Sequence, residues 1–270
     1  MLNKFFFNYI KKKKHEKTVN NLYKKKFKNE KIKVVYTHKN NVFVIFKKKK
    51  KIFRKFSLSK FGEKKISSDF KGLKWYCSRR KLDSNKVIYN YKKYKEYSFL
   101  DTNLIKGKKI KSWLPLKRNY SYIKKSLNHY KYIFPLKKKS KIHGDLTLDN
   151  IFFGKKDIFF IDWEFFNCKK KIWGYDAVYL VLSSISIPFL ANKSFSNQDK
   201  DLFLKLWKIL MKMRIDKKIL IDPFKYFIKS IYSDTILNNS RAISKKKFFP
   251  LITPKKFQNE IVNLIGTLKS

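Results

Sequence analysis

The chain has 270 residues, with 43% hydrophobic and 17% aromatic side chains, enough to bury one large core or two smaller ones. Its formal net charge is +48, and its seven Gly and six Pro exclude collagen-like and low-complexity classes. Cys77 and Cys168 stand far apart without a CxxC or Cys/His cluster, which excludes a disulfide framework and a zinc site and suits a reducing compartment.

In chain order, residues 1–30 read as a basic N-terminal extension. Its short apolar patch precedes the lysines, the reverse of a secretory signal. Residues 31–105 read as a small sheet with one helix. "IKVVYT", "VFVIF" and "KIFRKFS" alternate like the strands of a meander, with turns at "HKNN" and at a lysine run. "ISSDFKGLKWYCSRR" carries Ile66, Phe70, Leu73 and Cys77 at helical spacing, with Ser67 or Ser68 as the cap and Glu63 ahead of the helix. "KVIYNYKKYKEYSFLDT" supplies two more strands. Periodicity breaks in "DTNLIKGKKIKS", so residues 106–270 form a second region. It begins with a helix in "NYSYIKKSLNHYKYIF", continues through a loop and the short hairpin "NIFFG"/"IFFID", and ends in helices from Trp173 on, broken near Pro188, Pro223 and Pro250. The longest apolar run, "VYLVLSSISIPFLA", is too short to cross a bilayer and reads as a buried helix, so no transmembrane segment is expected. Trp75, Trp113, Trp163, Trp173 and Trp207 read as core residues, and His15, His38 and His129 have no metal-ligand spacing.

The segment Lys141–Phe166, "KIHGDLTLDNIFFGKKDIFFIDWEFF", stands apart from this basic background. Asp145 and Asn150 lie five positions apart across a loop, and Asp162 ends the hairpin that folds back toward it. Two carboxylates and an amide oxygen suit Mg²⁺, which binds through a few protein oxygens together with phosphate and water. A carboxylate left off the metal can orient and deprotonate a hydroxyl.

"HGDLTLDN…IDWE" resembles the catalytic segment of the aminoglycoside phosphotransferase and choline kinase family, within the protein-kinase-like superfamily. The resemblance implies an α+β, bilobal protein-kinase-like fold with a small β-rich N-terminal lobe and a larger, mainly helical C-terminal lobe. It implies an ATP- and Mg²⁺-dependent phosphotransferase with a small-molecule or sugar hydroxyl as acceptor. Asp145 would be the catalytic base, with Asn150 and Asp162 holding Mg²⁺, while His143 and Gly144 shape the loop. The third strand offers Arg54 and Lys55 on opposite faces, and the family's strand lysine selects Lys55 for the nucleotide phosphates. Asp69 would be its partner where a Glu is usual, with Glu63 as an alternative. Asp176, in "WGYDAVYL", would buttress the catalytic loop. Two features depart from protein kinases. "YTHKNN" has no glycine, although Thr37, Asn40 and Asn41 can still turn tightly, and "WEFFNCKKKIWGYD" leaves little room for a peptide platform.

The lysines are spread along the chain rather than gathered in a stripe. They read as a solvated surface of compositional origin, with nonspecific affinity for anions. The localisation expected is cytoplasmic, including a peripheral position at the inner face of the membrane. A second reading is a non-catalytic kinase-like protein that binds a polyanion, either RNA or an anionic membrane. The charge and the missing glycines favour it.

Overall fold

The computed structural model describes Asn21 and residues 33–37, 42–47, 51–137, 139–155, 157–166, 171–192, 194–232 and 249–268. The N-terminal extension apart from Asn21, His15, the turn at 38–41 with its His38, Asn40 and Asn41, and Cys168 lie outside them. The fold is α+β, with an antiparallel sheet in the N-terminal part and helices dominating the C-terminal part. The chain divides into two compact units, Met1–Ile105 and Lys106–Ser270.

In the first unit, β1 (Lys33–Thr37), β2 (Val42–Lys47), β3 (Ile52–Ser57), β4 (Ile88–Lys93) and β5 (Ser98–Asn103) form one antiparallel sheet in the order β1-β2-β3-β5-β4. Helix α1 (Lys60–Arg79) connects β3 to the β4–β5 pair and packs on β3, β4 and β5. Ile66, Leu73, Tyr76 and Cys77 on α1 are buried, as are Ile45, Phe56 and Leu100 of the sheet. Burial pushes the Cys77 thiol up to about 11, so it is a packing residue rather than a nucleophile.

The helix begins earlier than its apolar spacing implies. Its cap is Ser59, whose side chain accepts from the Gly62 N–H at 3.1 Å, and neither Ser67 nor Ser68 caps it. Glu63 lies in the first turn rather than before it. Ser59 supplies the N-terminal acceptor, and the first turn runs through Gly62.

The second unit contains α2 (Leu116–Ile133), α3 (Tyr175–Asn192), α4 (Asn197–Lys212), α5 (Lys217–Ile221), α6 (Pro223–Tyr232) and α7 (Lys255–Gly266). Strands β6 (Lys108–Lys109), β8 (Ile151–Phe153) and β9 (Ile158–Phe160) form a small sheet, and β7 (Lys139–Ser140) pairs with β10 (Lys171–Ile172). Among the described residues, α3 is the one helix long and apolar enough to cross a membrane, but 72% of it is buried inside the unit. Pro188 does not break it. Packing of α3 against α2 and α4 holds the helix through a proline that sequence alone reads as a stop. Pro223 does start a helix, at the position where a missing N–H costs nothing. Trp163, Trp173 and Trp207 are buried. Trp113 is 48% exposed and is not a core residue, and Lys111 lies over its ring.

Candidate active site

Alternation along β3 sends two neighbouring cations to opposite faces of the sheet. Arg54 pairs across the strands with Asp101 and donates to both carboxylate oxygens, Nε to Oδ1 at 2.6 Å and Nη2 to Oδ2 at 2.7 Å. Both side chains are buried, and the guanidinium stacks over Phe99 at 4.0 Å. Arg54 is thereby committed to the sheet. Lys55 faces α1, where its Nζ lies 2.7 Å from Oδ2 of Asp69. Asp69 is 2% exposed and Lys55 19%, so the ammonium keeps access to solvent while its partner is enclosed. Glu63 instead pairs with exposed Lys93 on β4, at 2.7 Å.

In the second unit the site is assembled at the open end of the β8–β9 hairpin. Ile151 pairs with Phe160, and one step outward the Ile161 N–H donates to the Asn150 carbonyl at 3.0 Å. Asn150 and Ile161 therefore face each other at the hairpin's open end, and Asp162 follows Ile161, twelve positions from Asn150 in sequence. Asp162 has φ +65°, a left-handed conformation that costs a non-glycine residue free energy and is held only when its surroundings impose it.

His143 joins the loop to the hairpin. Its Nε2 lies 2.8 Å from the Ile161 carbonyl, which can only accept, so Nε2 carries the proton. Nδ1 is then free to accept from the Asp145 N–H at 3.4 Å. The fully buried Trp163 ring packs on the imidazole at 4.4 Å. Gly144 follows with φ +88°, and a Cβ there would come within 2.5 Å of the Phe165 Cβ, so only glycine fits. Asn150 reaches back across the loop. Its Nδ2 donates to the Asp145 carbonyl at 2.8 Å and lies 3.4 Å from Asp145 Oδ2. With the nitrogen used inside the loop, Oδ1 is the atom of Asn150 that can serve a cation.

Asp176, in the first turn of α3, is completely buried. It accepts from the His143 N–H at 2.7 Å on one oxygen and from the Gly144 N–H at 2.9 Å on the other. Burial pushes its carboxyl up to about 7; the two N–H bonds oppose that rise, and the negative charge of Asp145 adds to it. One turn further on, Tyr179 donates its phenol to Asp145 Oδ1 at 3.1 Å. Sequence reasoning passed over Tyr179. Its signal was the three-residue interval from Asp176, which puts both on one helical face. Asp149 accepts from the Ser112 hydroxyl and pins the loop's far side.

The structure thus brings Lys55 to Asp69 in the first unit, and gathers His143, Asp145, Asn150 and Asp176 in the second, with Asp162 adjacent through Ile161. Among the described residues no group of three His, Cys, Asp or Glu side chains forms a metal cluster. With Asp145 left off the metal, a donor set of one carboxylate and one amide oxygen is too small for an all-protein cage but is of the kind that suits Mg²⁺ arriving with phosphate and water as its remaining ligands.

No protein-family model matches the sequence, and a comparison with curated proteins gives no match. Among solved structures, the chain is similar to an amicoumacin kinase in complex with AMP-PNP, Ca²⁺ and Ami. That likeness has 10% identity over 89% of this chain and 88% of that one, with a TM-score of 0.47. It is also similar to the GDP complex of wild-type aminoglycoside 2′-phosphotransferase-IIIa, with 10% identity over 94% of this chain and 99% of that one and a TM-score of 0.42. A third likeness is to the GDP and kanamycin complex of an APH(2″) enzyme, with 11% identity over 94% and 99% of the two chains and a TM-score of 0.40.

Proposed function

We propose that the protein is a phosphotransferase of the kinase-like class, moving the γ-phosphoryl group of a magnesium–nucleotide to a hydroxyl of a small molecule or sugar. The observation that carries this reading is the loop around Asp145. Its backbone is clamped by Asp176, and Asn150 faces Ile161, the residue before Asp162, at the hairpin's open end.

Asp145 is the base. It orients the acceptor hydroxyl and takes its proton as the oxygen bonds to the γ-phosphorus and the bond to the β-phosphate oxygen breaks. Positioned acid–base help of this kind contributes about 10²–10⁴ in rate, and alignment of the reacting groups supplies more. Asn150 Oδ1 and the Asp162 carboxylate would hold Mg²⁺, which when bound neutralises charge on the nucleotide phosphates. In the first unit, Lys55 is the cation for the α/β-phosphates, and Asp69 holds it. The acceptor is a sugar or amino alcohol, and ATP is the donor to try first.

The test is nucleotide-dependent thermal stabilisation with and without Mg²⁺, followed by phosphoryl transfer to a panel of sugars and amino alcohols. The expected result is a Mg²⁺-dependent rise in the unfolding midpoint, together with transfer that Asp145→Asn removes. Failure to bind either MgATP or MgGTP would end the proposal.

A further inference from the structure

Helix α6 presents two distinct faces. Phe227 packs edge-on against Tyr175 and Tyr179 of α3, at 4.9 and 6.1 Å. Round the helix from that contact, Lys225, Ile228 and Lys229 border a groove of about 520 Å³ whose other wall is α7. Its volume is that of a small-molecule site, and both walls belong to the second unit. None of its lining residues comes from the loop around Asp145.

We propose that this groove binds an anionic saccharide, a sugar carrying a phosphate or carboxylate group. The inference does not depend on the phosphotransferase reading above.

Three features of the groove point to that chemistry. The first is charge. The ammonium-bearing side chains of Lys225, Lys229 and Lys255 line the groove with one acid, Asp222, whose Oδ1 already accepts from the Lys225 N–H at 3.0 Å. Among the described residues none of these three lysines has an ion pair. Lys225 and Lys229 stand one turn apart, where like charges repel, and an anion beside them relieves that repulsion. Lysine is abundant throughout this chain, so the charge alone would not mark a site.

The second feature is the row of amides on the α7 wall. Asn259 and Asn263 are exposed, one turn apart, and make no side-chain hydrogen bond among the described residues. A carboxamide both donates and accepts, as a sugar hydroxyl does. Beside them Gln258 is buried, and its Nε2 donates to the carbonyls of Thr253 at 2.8 Å and Leu251 at 3.4 Å. Those two acceptors fix which end of the amide is which, and they leave Oε1 without a donor. A hydroxyl at that wall supplies one. The third feature is apolar surface from Phe224, Ile228 and Val262, which suits the C–H face of a sugar ring. A bare inorganic anion would use the lysines and neither of the other two.

The alternative is that the lysines attract any anion. Isothermal titration at fixed ionic strength, without Mg²⁺ or nucleotide, separates the two with glucose 6-phosphate, tetragalacturonate, glucose and inorganic phosphate as probes. The expected result is that an acidic sugar binds more tightly than both glucose and phosphate. Glucose 6-phosphate as the tighter ligand assigns the groove to a free sugar phosphate, and tetragalacturonate assigns it to an acidic polysaccharide. Lys225→Ala with Lys229→Ala weakens that binding about tenfold. Asn259→Ala with Asn263→Ala weakens it too but leaves the affinity for phosphate unchanged. Lys205→Ala with Lys208→Ala, at exposed positions of α4, subtracts the same charge and leaves the binding intact. All these side chains are exposed, so unfolding midpoints stay near wild type. Phosphate binding as tightly as the acidic sugars would mean an adventitious ion only. That result, equal losses in the α4 and α6 variants, or no binding of either acidic sugar would each overturn the inference and leave the phosphotransferase reading intact. Failure to bind MgATP or MgGTP ends that reading without touching the groove.

Discussion

The two units hold their functional carboxylates by different means. In the first, Asp69 and Asp101 each face a cation, Lys55 and Arg54, carried by adjacent residues of β3. In the second, Asp176 accepts from two backbone N–H groups, and Asp145 accepts from the Tyr179 phenol and the Asn150 amide. A carboxylate opposite a lysine serves to aim that lysine. A buried carboxyl with only backbone N–H groups to oppose its desolvation is pushed up, as at Asp176, and takes up a proton near neutral pH. The first arrangement fixes a cation on a strand, and the second fixes the backbone of a loop.

The largest expected effect follows from that second role. Asp145→Asn keeps the side chain's size and still offers an oxygen to Tyr179, but it removes the base. Phosphoryl transfer is expected to fall by about 10²–10⁴ in kcat. The unfolding midpoint and Mg²⁺–nucleotide binding should stay near wild type. A variant that transfers normally would show that the loop's geometry serves something other than proton removal.

How much of this was legible in the sequence depends on what fixes each feature. The strands were readable because "VFVIF" and "KIFRKFS" are short runs of β-branched and aromatic residues bounded by polar turns. The α+β layout was readable because period-two segments give way to helical ones after "WLPL". Asp145, Asn150 and Asp162 could be singled out as candidates because they lie close in sequence. The start of α1 was not, since its apolar spacing begins only at Ile66, more than a turn inside the helix, and Pro188 misled because packing overrode local preference. Trp113 was misjudged because size suggests burial while neighbours decide it. Tyr179 was passed over because in "YDAVYL" its interval from Asp176 marks a shared helical face but not the hydrogen bond to Asp145.

The contrast inside β3 can be broken next. Arg54 and Asp101 are both dry, whereas Lys55 keeps an opening to water. Asp101→Asn leaves a buried guanidinium without its counter-charge and is expected to cost about 3–5 kcal/mol in urea unfolding. Asp69→Asn leaves an ammonium that can turn to solvent and should cost about 1 kcal/mol. Kinetics should order them the other way. Asp69→Asn raises KM for the nucleotide severalfold because Lys55 is no longer aimed, while the folded fraction of Asp101→Asn keeps its KM. Equal stability losses would mean that the half-open pair is as desolvated in solution as the closed one.

The buried carboxyl of α3 gives a pH test of the second arrangement. The Asp176 carboxyl titrates near 7 in the folded protein, against an ordinary 3.8. Between those values the folded state holds a proton that the unfolded chain has released. Its contribution to stability is therefore fully present below about pH 4 and lost as pH rises through 7. The loss amounts to at most about 4 kcal/mol. Asp176→Asn cannot titrate and also gives up one acceptor for the loop's N–H groups. Comparing unfolding free energies from pH 4 to 8, the lost bond appears as a constant offset and the proton as a slope. Wild type should fall relative to the variant up to pH 7 and run parallel above it. Parallel curves over the whole range would place Asp176 in contact with more donors or more water than the clamp provides.

The smallest effect concerns how α1 presents Asp69 to β3. Ser59 caps the helix by accepting from Gly62, and the capped turn also carries Glu63, which pairs with Lys93 on β4. Ser59→Ala removes the acceptor and is expected to cost about 1 kcal/mol. Fraying should be confined to the first turn, because Ile66 and Asp69 beyond it are buried. Hydrogen exchange should therefore quicken at Gly62 and Glu63 and leave amides beyond Asp69 unchanged. Nucleotide KM should stay at the wild-type value, since the Lys55–Asp69 pair lies a full turn past the damage. A raised KM would mean that the cap, and not the packing of Ile66, sets the reach of the acid toward its lysine.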